Sequence, residues 1–156
     1  MHRLKPVVTD VDKKLLETVV CSLKDGDDEF HQSTFNPTYH HQNQYFVLYY
    51  KNELMGFSAL EYDKYFYYVD FWVSVYQEAR HKKHAFIFSA MTLKHAVDKG
   101  VDFIYSDVYI KNHDSMELHL NIIDKYNGSV ELKTRDIVTF CLPVENYHKL
   151  LKGKKL

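Results

Sequence analysis

Val73-Ser-Val-Tyr-Gln-Glu-Ala-Arg-His-Lys-Lys-His-Ala85 is the stretch on which the reading of this chain turns. Val73-Ser-Val75 has the alternation of a strand, a short polar turn follows, and a helix opens at about Lys83. A strand passing through a tight turn into a helix aims several backbone N–H groups at one point. That point attracts anions, because the first helical turn has unpaired donors and the positive end of the macrodipole. Arg80, Lys82 and Lys83 add positive charge where cations are otherwise unfavourable. The stretch therefore reads as a phosphate-binding turn and implies a nucleotide-type cofactor.

Outward from it, periodicity supplies the remaining elements. An edge strand covers about His2 to Lys5. A helix from Val11 to Leu23, capped by Thr9 or Asp10, carries Val11, Leu15, Leu16, Val19, Val20 and Leu23 at helical spacing. Asp25 to Glu29 forms a charged loop, and residues 30 to 44 read as a short helix plus loop. Strands at 45–51, 54–62 and 65–76 form a meander, with turns at Asn52-Glu53 and Asp63-Lys64. A helix spans 83–99 and stops at Gly100. Val101 to Ile110 follows as a strand, parallel to its predecessor because a crossover helix separates them. Asn112 or Asp114 caps a further helix to about Lys125. Asn127-Gly128 is a turn, Ser129–Lys133 and Ile137–Leu142 form a terminal hairpin, and the tail is helical or frayed.

The strand–turn–helix resembles motif A of the GCN5-related N-acetyltransferases (GNATs), a strand followed by Arg/Gln-x-x-Gly-x-Gly/Ala. Arg80 takes the first position and Ala85 the last, and Lys83 stands where the middle glycine is usual. The element order is also that of the family, over nearly the whole chain. A second match, Asn112-His-Asp-Ser115 with Leu118-His119 and Asn127-Gly128, resembles the family's next helix, His119 standing where a tyrosine is common. The resemblance implies an α/β fold, with a mostly antiparallel sheet, one parallel pair and flanking helices in a single domain. It implies transfer of acetyl from acetyl-CoA to a primary amine by direct attack, on a small molecule or a protein.

By the same resemblance, acetyl-CoA lies in the V between strands 65–76 and 101–110. Val73 and Val75 lie at the strand end that offers a donor to the thioester carbonyl. Arg80, His81, Lys82, Lys83, His84, Ala85 and Phe86 hold the pyrophosphate. Asn112 and Ser115 lie towards the pantetheine and adenosine side. A β-bulge is usual near Val75. His119 is the candidate acid for the departing thiolate, and Asp70, with Glu61 as competitor, the candidate base. A bulge shifts side-chain parity, so the sequence leaves open which face Asp70 takes. The acidic run at 25–29 is placed to attract a cationic amine. The departures at Lys83 and His119 keep an alternative open: a GNAT-like domain without catalysis, serving as a binding or structural protein, of the kind also found in phages and mobile elements.

Composition sets bounds. With 156 residues, 46% of them hydrophobic, and a net charge of −1, the chain builds one core and has no strong field for nucleic acid or anionic membrane. No run approaches the ~18 apolar residues of a membrane span, and Met1 to Pro6 has no leader-like core. Cys21 and Cys141 lie far apart in sequence, as expected of reduced thiols in a cytoplasmic protein. The ten histidines include His40-His41, His81 with His84, and His95. None has a carboxylate or cysteine at ligand spacing, so no metal is expected. The 13 tyrosines and 10 phenylalanines concentrate between Tyr39 and Tyr76 and imply an aromatic-lined sheet or cleft. Together with the terminal hairpin, these strands are candidates for a homodimer interface.

Overall fold

The computed structural model describes residues 1–26, 35–78 and 83–148. Its elements are β1 (His2–Pro6), α1 (Asp10–Gly26), β2 (Gln44–Tyr50), β3 (Glu53–Tyr62), β4 (Tyr68–Val75), α2 (His84–Asp98), β5 (Phe103–Tyr109), α3 (His113–Tyr126), β6 (Ser129–Lys133) and β7 (Ile137–Pro143). A last helical turn covers 144–148. The strands form one mixed sheet in the order β1-β2-β3-β4-β5-β7-β6, flanked by helices. Strands β4 and β5 run parallel, in register Tyr68↔Phe103, Val69↔Ile104 and Asp70↔Tyr105, as the crossover through α2 requires.

Two compact units make up the chain. The first comprises Met1–Glu61 and Trp72–Lys94. In its core, Leu16, Val19, Val20 and Leu23 of α1 pack on Tyr45, Val47, Phe57 and Ala59 of β2 and β3, with Phe35 beside them. Thr9 caps α1: its Oγ1 accepts from the Asp12 N–H, and the Asp12 carboxylate accepts from the N–H groups of Thr9 and Val8. These bonds hold Asp12 down at about 2. The β2–β3 turn sits one residue earlier than the sequence suggests, at Lys51-Asn52. Both have positive φ, the geometry that matches strand twist in a two-residue hairpin.

The second unit comprises Tyr62–Phe71 and His95–Leu156. Its interior is built from Val69, Ile104, Val108, Val138 and Phe140, with Ile122 of α3. The Asp63 carboxylate accepts from the N–H groups of Tyr65 and Tyr67 and Phe66 has φ 58°, so β4 begins at Tyr68 rather than Tyr65. Gly100, at φ 81°, ends α2 as expected. Asn112 caps α3, and the left-handed Asn127 closes it.

One contact fixes the end of β4. A Cβ on Gly56 of β3 would lie 2.0 Å from the Ser74 carbonyl oxygen and 2.8 Å from Val75 Cα. The β2–β3 register shifts at the same level, between Leu48 and Tyr49. Both obstacles are backbone, so no rotamer change relieves them. Gly56→Ala should cost at least about 2 kcal/mol in urea unfolding, whereas Ala59→Gly, in the same strand, should cost about 1.

Candidate functional site

The strand and the helix form as expected on either side of the turn, whose residues 79–82 lie outside the described residues. Strand β4 ends at Val75, Tyr76 N–H donates to Met55 O at 2.8 Å, and α2 opens at His84. Val75 is buried and Val73 half-buried, so what they present at the strand end is backbone. Arg80, His81 and Lys82 lie outside the described residues. Lys83 has φ 60°. The position usually held by glycine thus keeps its left-handed backbone while carrying an exposed lysine. Ile87 N–H bonds Lys83 O at 3.1 Å, the first i→i−4 bond of α2 among the described residues. The N–H groups of His84, Ala85 and Phe86 precede it, on the donor-rich end of the helix.

The His84 ring is not available to a phosphate. It is buried, its Nδ1 lies 2.8 Å from Nε2 of His2, and Tyr50 and the His2 ring pack against it. His84 therefore contributes backbone to an anion site, and its side chain ties the start of α2 to β1. Burial, then His84, then the N-terminal amine lower the His2 pKa. Further along α2, Thr92 Oγ1 sits 2.8 Å from Ser58 Oγ, both fully buried, which fixes the helix on β3.

In the second unit, the Asn112 side chain accepts from the Ser115 N–H at 3.1 Å, so its observed work is the cap of α3. His119, one turn after Ser115, is 5% exposed. Its Nδ1–H donates to Ser115 O at 2.8 Å, and its ring stacks on Phe140 near Phe71. Burial pushes its pKa down to about 4, so the ring is neutral at pH 7 with its proton committed to a carbonyl. That state does not suit the acid role drawn from the sequence. Asp70 is settled more simply. Val69 and Phe71 are buried, while Tyr68 and Asp70 are exposed on the opposite side of β4. Glu61, the competitor, accepts a 2.6 Å bond from the Tyr45 hydroxyl, which also contacts Thr38.

Reading the sequence did not single out Gly56, His2 or Trp72. The Trp72 indole N–H is the one buried side-chain donor without an acceptor among the described residues. A glycine inside a strand pattern was the available signal for Gly56; nothing local marks the other two. Among the described residues no three His, Cys, Asp or Glu side chains group as metal ligands, and no helix is long and apolar enough to cross a membrane.

The sequence matches no family model and no curated protein. Solved structures do match. An N-acetyltransferase from Staphylococcus aureus Mu50 aligns at 17% identity and TM-score 0.66 over 92% of this chain and 98% of that one. Spermidine N-acetyltransferase from Vibrio cholerae, solved with CoA and spermine, aligns at 13% identity and TM-score 0.70 over 94% and 98%. The Campylobacter jejuni N-acetyltransferase PseH, in complex with acetyl coenzyme A, aligns at 14% and 0.60 over 92% and 99%. The chain has the GNAT fold.

Two predictions follow from the local geometry. His119 is depressed from 6.5 to about 4, so its stabilisation is full above pH 6.5 and is lost as pH falls towards 4. Unfolding free energy should drop by about 2 kcal/mol between pH 7 and 5 from this group; His119→Gln should be less stable at pH 7 and lack that step. At Lys83, relief of left-handed strain and added unfolded-state entropy oppose each other. Lys83→Gly should therefore change stability by less than about 1 kcal/mol, while β-branched Lys83→Val should lose about 1–2.

Proposed function

We propose that this protein is an acetyl-CoA-dependent N-acetyltransferase acting on an amine-bearing acceptor. The observation that carries the reading is the junction of β4 and α2: a strand end, a left-handed residue at Lys83, and a helix start at His84, on an acetyltransferase fold. Such a junction fits a pyrophosphate, because the N–H groups of residues 84–86 face the end of the helix and the exposed Lys83 adds charge. Arg80, His81 and Lys82 are assigned to the same anion on sequence alone, and Asn112 and Ser115 to the remainder of the cofactor.

Acetyl-CoA supplies the thioester whose carbonyl carbon the amine attacks and whose C–S bond then breaks. The protein must do three things for that exchange. It must take a proton from the ammonium form of the acceptor, offer an N–H to the carbonyl oxygen, and exclude competing water. Asp70, a carboxylate on the exposed side of β4, is assigned the first. The backbone near Val75, five residues along the same strand, is assigned the second. His119 is assigned a positioning role: a neutral ring bonded to Ser115 O, holding the first turns of α3 against Phe140. Neither cysteine adjoins the cofactor turn in sequence, which favours direct attack over an acyl-enzyme.

The reading is tested by thermal shift with acetyl-CoA, then by an amine screen. Saturable stabilisation is expected, of about 2.7 kcal/mol at a hundred times Kd. Asp70→Asn should lower kcat by about 100-fold or more with cofactor affinity unchanged. No stabilisation at millimolar acetyl-CoA would replace the enzyme by the binding-protein alternative. Full turnover in Asp70→Asn would remove the base assignment alone.

A further inference from the structure

Two histidines, far apart in sequence, meet at the start of α2. His84 Nδ1 lies 2.8 Å from His2 Nε2; His84 is buried and His2 half-buried. The Tyr50 ring covers the pair, its centre 4.5 Å from that of His2 and 4.4 Å from that of His84, and Phe88 meets His2 edge-on at 5.0 Å. A contact of that length between two ring nitrogens holds one hydrogen, because one nitrogen donates and the other accepts. The pair therefore has room for one added charge. With one extra proton the bond is charge-assisted and persists. With two, N–H faces N–H and two cations stand at bonding distance, so the contact breaks.

The charged groups around the pair are mostly cationic. On β1 there is the N-terminal amine, which acts on His2. After β2 comes Lys51, its Nζ 5.4 Å from the centre of the Tyr50 ring. Lys83 precedes His84 at the start of α2. The carboxylate of Glu53, register partner of Tyr50 on β3, belongs to an exposed residue. Burial, then His84, then the amine lower the His2 pKa from 6.5. Its contribution to stability is therefore full above pH 6.5 and is lost as pH falls through the folded value.

We propose that His2 and His84 form a proton-operated clasp: when both rings are charged it releases the first residues of β1 from the start of α2 and weakens the anion site there. The weakening rests on the acetyltransferase reading, which puts an anion on the N–H groups of residues 84–86; the clasp itself does not. Other bonds keep the release local. The far end of β1 is held by Val7 N–H, which donates to Tyr45 O at 2.9 Å. Farther along α2, Thr92 is held on Ser58 at 2.8 Å. Opening the clasp therefore frees only the first residues of β1 and the first turn of α2. Two amides report on those places: Lys51 N–H, which donates to Met1 O at 3.3 Å, and Ile87 N–H, which donates to Lys83 O at 3.1 Å.

The test is amide hydrogen exchange of the whole protein, followed by NMR from about pH 7 to 5 and corrected for intrinsic rates. Lys51 and Ile87 should lose protection about threefold or more over that range, while Val7 keeps its own. His2→Gln can still bond His84 but cannot charge, so its two amides should show no such loss. His2→Leu, checked for folding by Val7, should leave both amides poorly protected throughout. Inorganic pyrophosphate is the probe of the anion site. Its affinity for the wild type should fall about threefold more than its affinity for His2→Gln between about pH 7 and 5; the ratio removes the probe's own protonation. The inference is overturned if His2→Gln keeps the wild-type pH dependence, if Val7 loses protection in step with the other two, if both rings charge while Lys51 and Ile87 stay protected, or if pyrophosphate affinity falls equally in both proteins. Amides that behave as expected with no pyrophosphate binding at any pH leave the clasp and remove the anion site of the acetyltransferase reading. Pyrophosphate binding with no pH-dependent loss of protection does the reverse.

Discussion

The first unit is organised around a place where two backbones come too close for any side chain. Gly56 has no Cβ, and the Ser74 carbonyl occupies the space that one would fill. That approach sets where β4 ends, and so the point from which the chain leaves towards α2. The helix then has to begin at a defined position. Lys83 reaches it by adopting a left-handed conformation that costs a non-glycine residue on the order of 1 kcal/mol. The surrounding contacts hold that conformation. His84 is locked to His2, and Thr92 is locked to Ser58. A helix start held from both sides presents its donors in one arrangement before any ligand arrives, which is what preorganised anion binding needs.

Burial divides the titratable groups into distinct roles. His119 and Asp70 both entered as reaction candidates, but one is sealed in the core of its unit and the other stands in water. Sealing removes the histidine's charge and directs its one N–H to a carbonyl, which suits holding a helix in place rather than giving up a proton. Exposure keeps the carboxylate in contact with solvent. Glu61 takes a third course, as a partner for Tyr45 on the α1 side of the first unit.

Much of the fold was legible because its signals are local. Alternation marked β2, β3 and β7, helical period marked α1 and α2, and Gly100 and Asn127-Gly128 marked the helix ends. The misplacements are local too. The hairpin turn moved to Lys51-Asn52 because twist selects two left-handed residues, and β4 starts late because the Asp63 carboxylate binds the amides of the preceding loop. The candidate site was legible only in part. Asn112 was read as a cap and caps α3, while its cofactor role rests on the motif alone. His84 was found by position, yet its ring is turned inward.

By itself, the sequence determined the order and type of the described elements, the parallel pair that the crossover imposes, and the strand end at Val75 and helix start at His84. Each depends on residues near one another in the chain, whose periodicity and turn chemistry act without distant partners. Only the tertiary structure decided which side of β4 Asp70 takes, that His119 is neutral, that His2 meets His84 across 82 positions, and that Gly56 lies under Ser74. Those outcomes depend on solvent exclusion and on contacts between segments remote in sequence, and no local pattern encodes either.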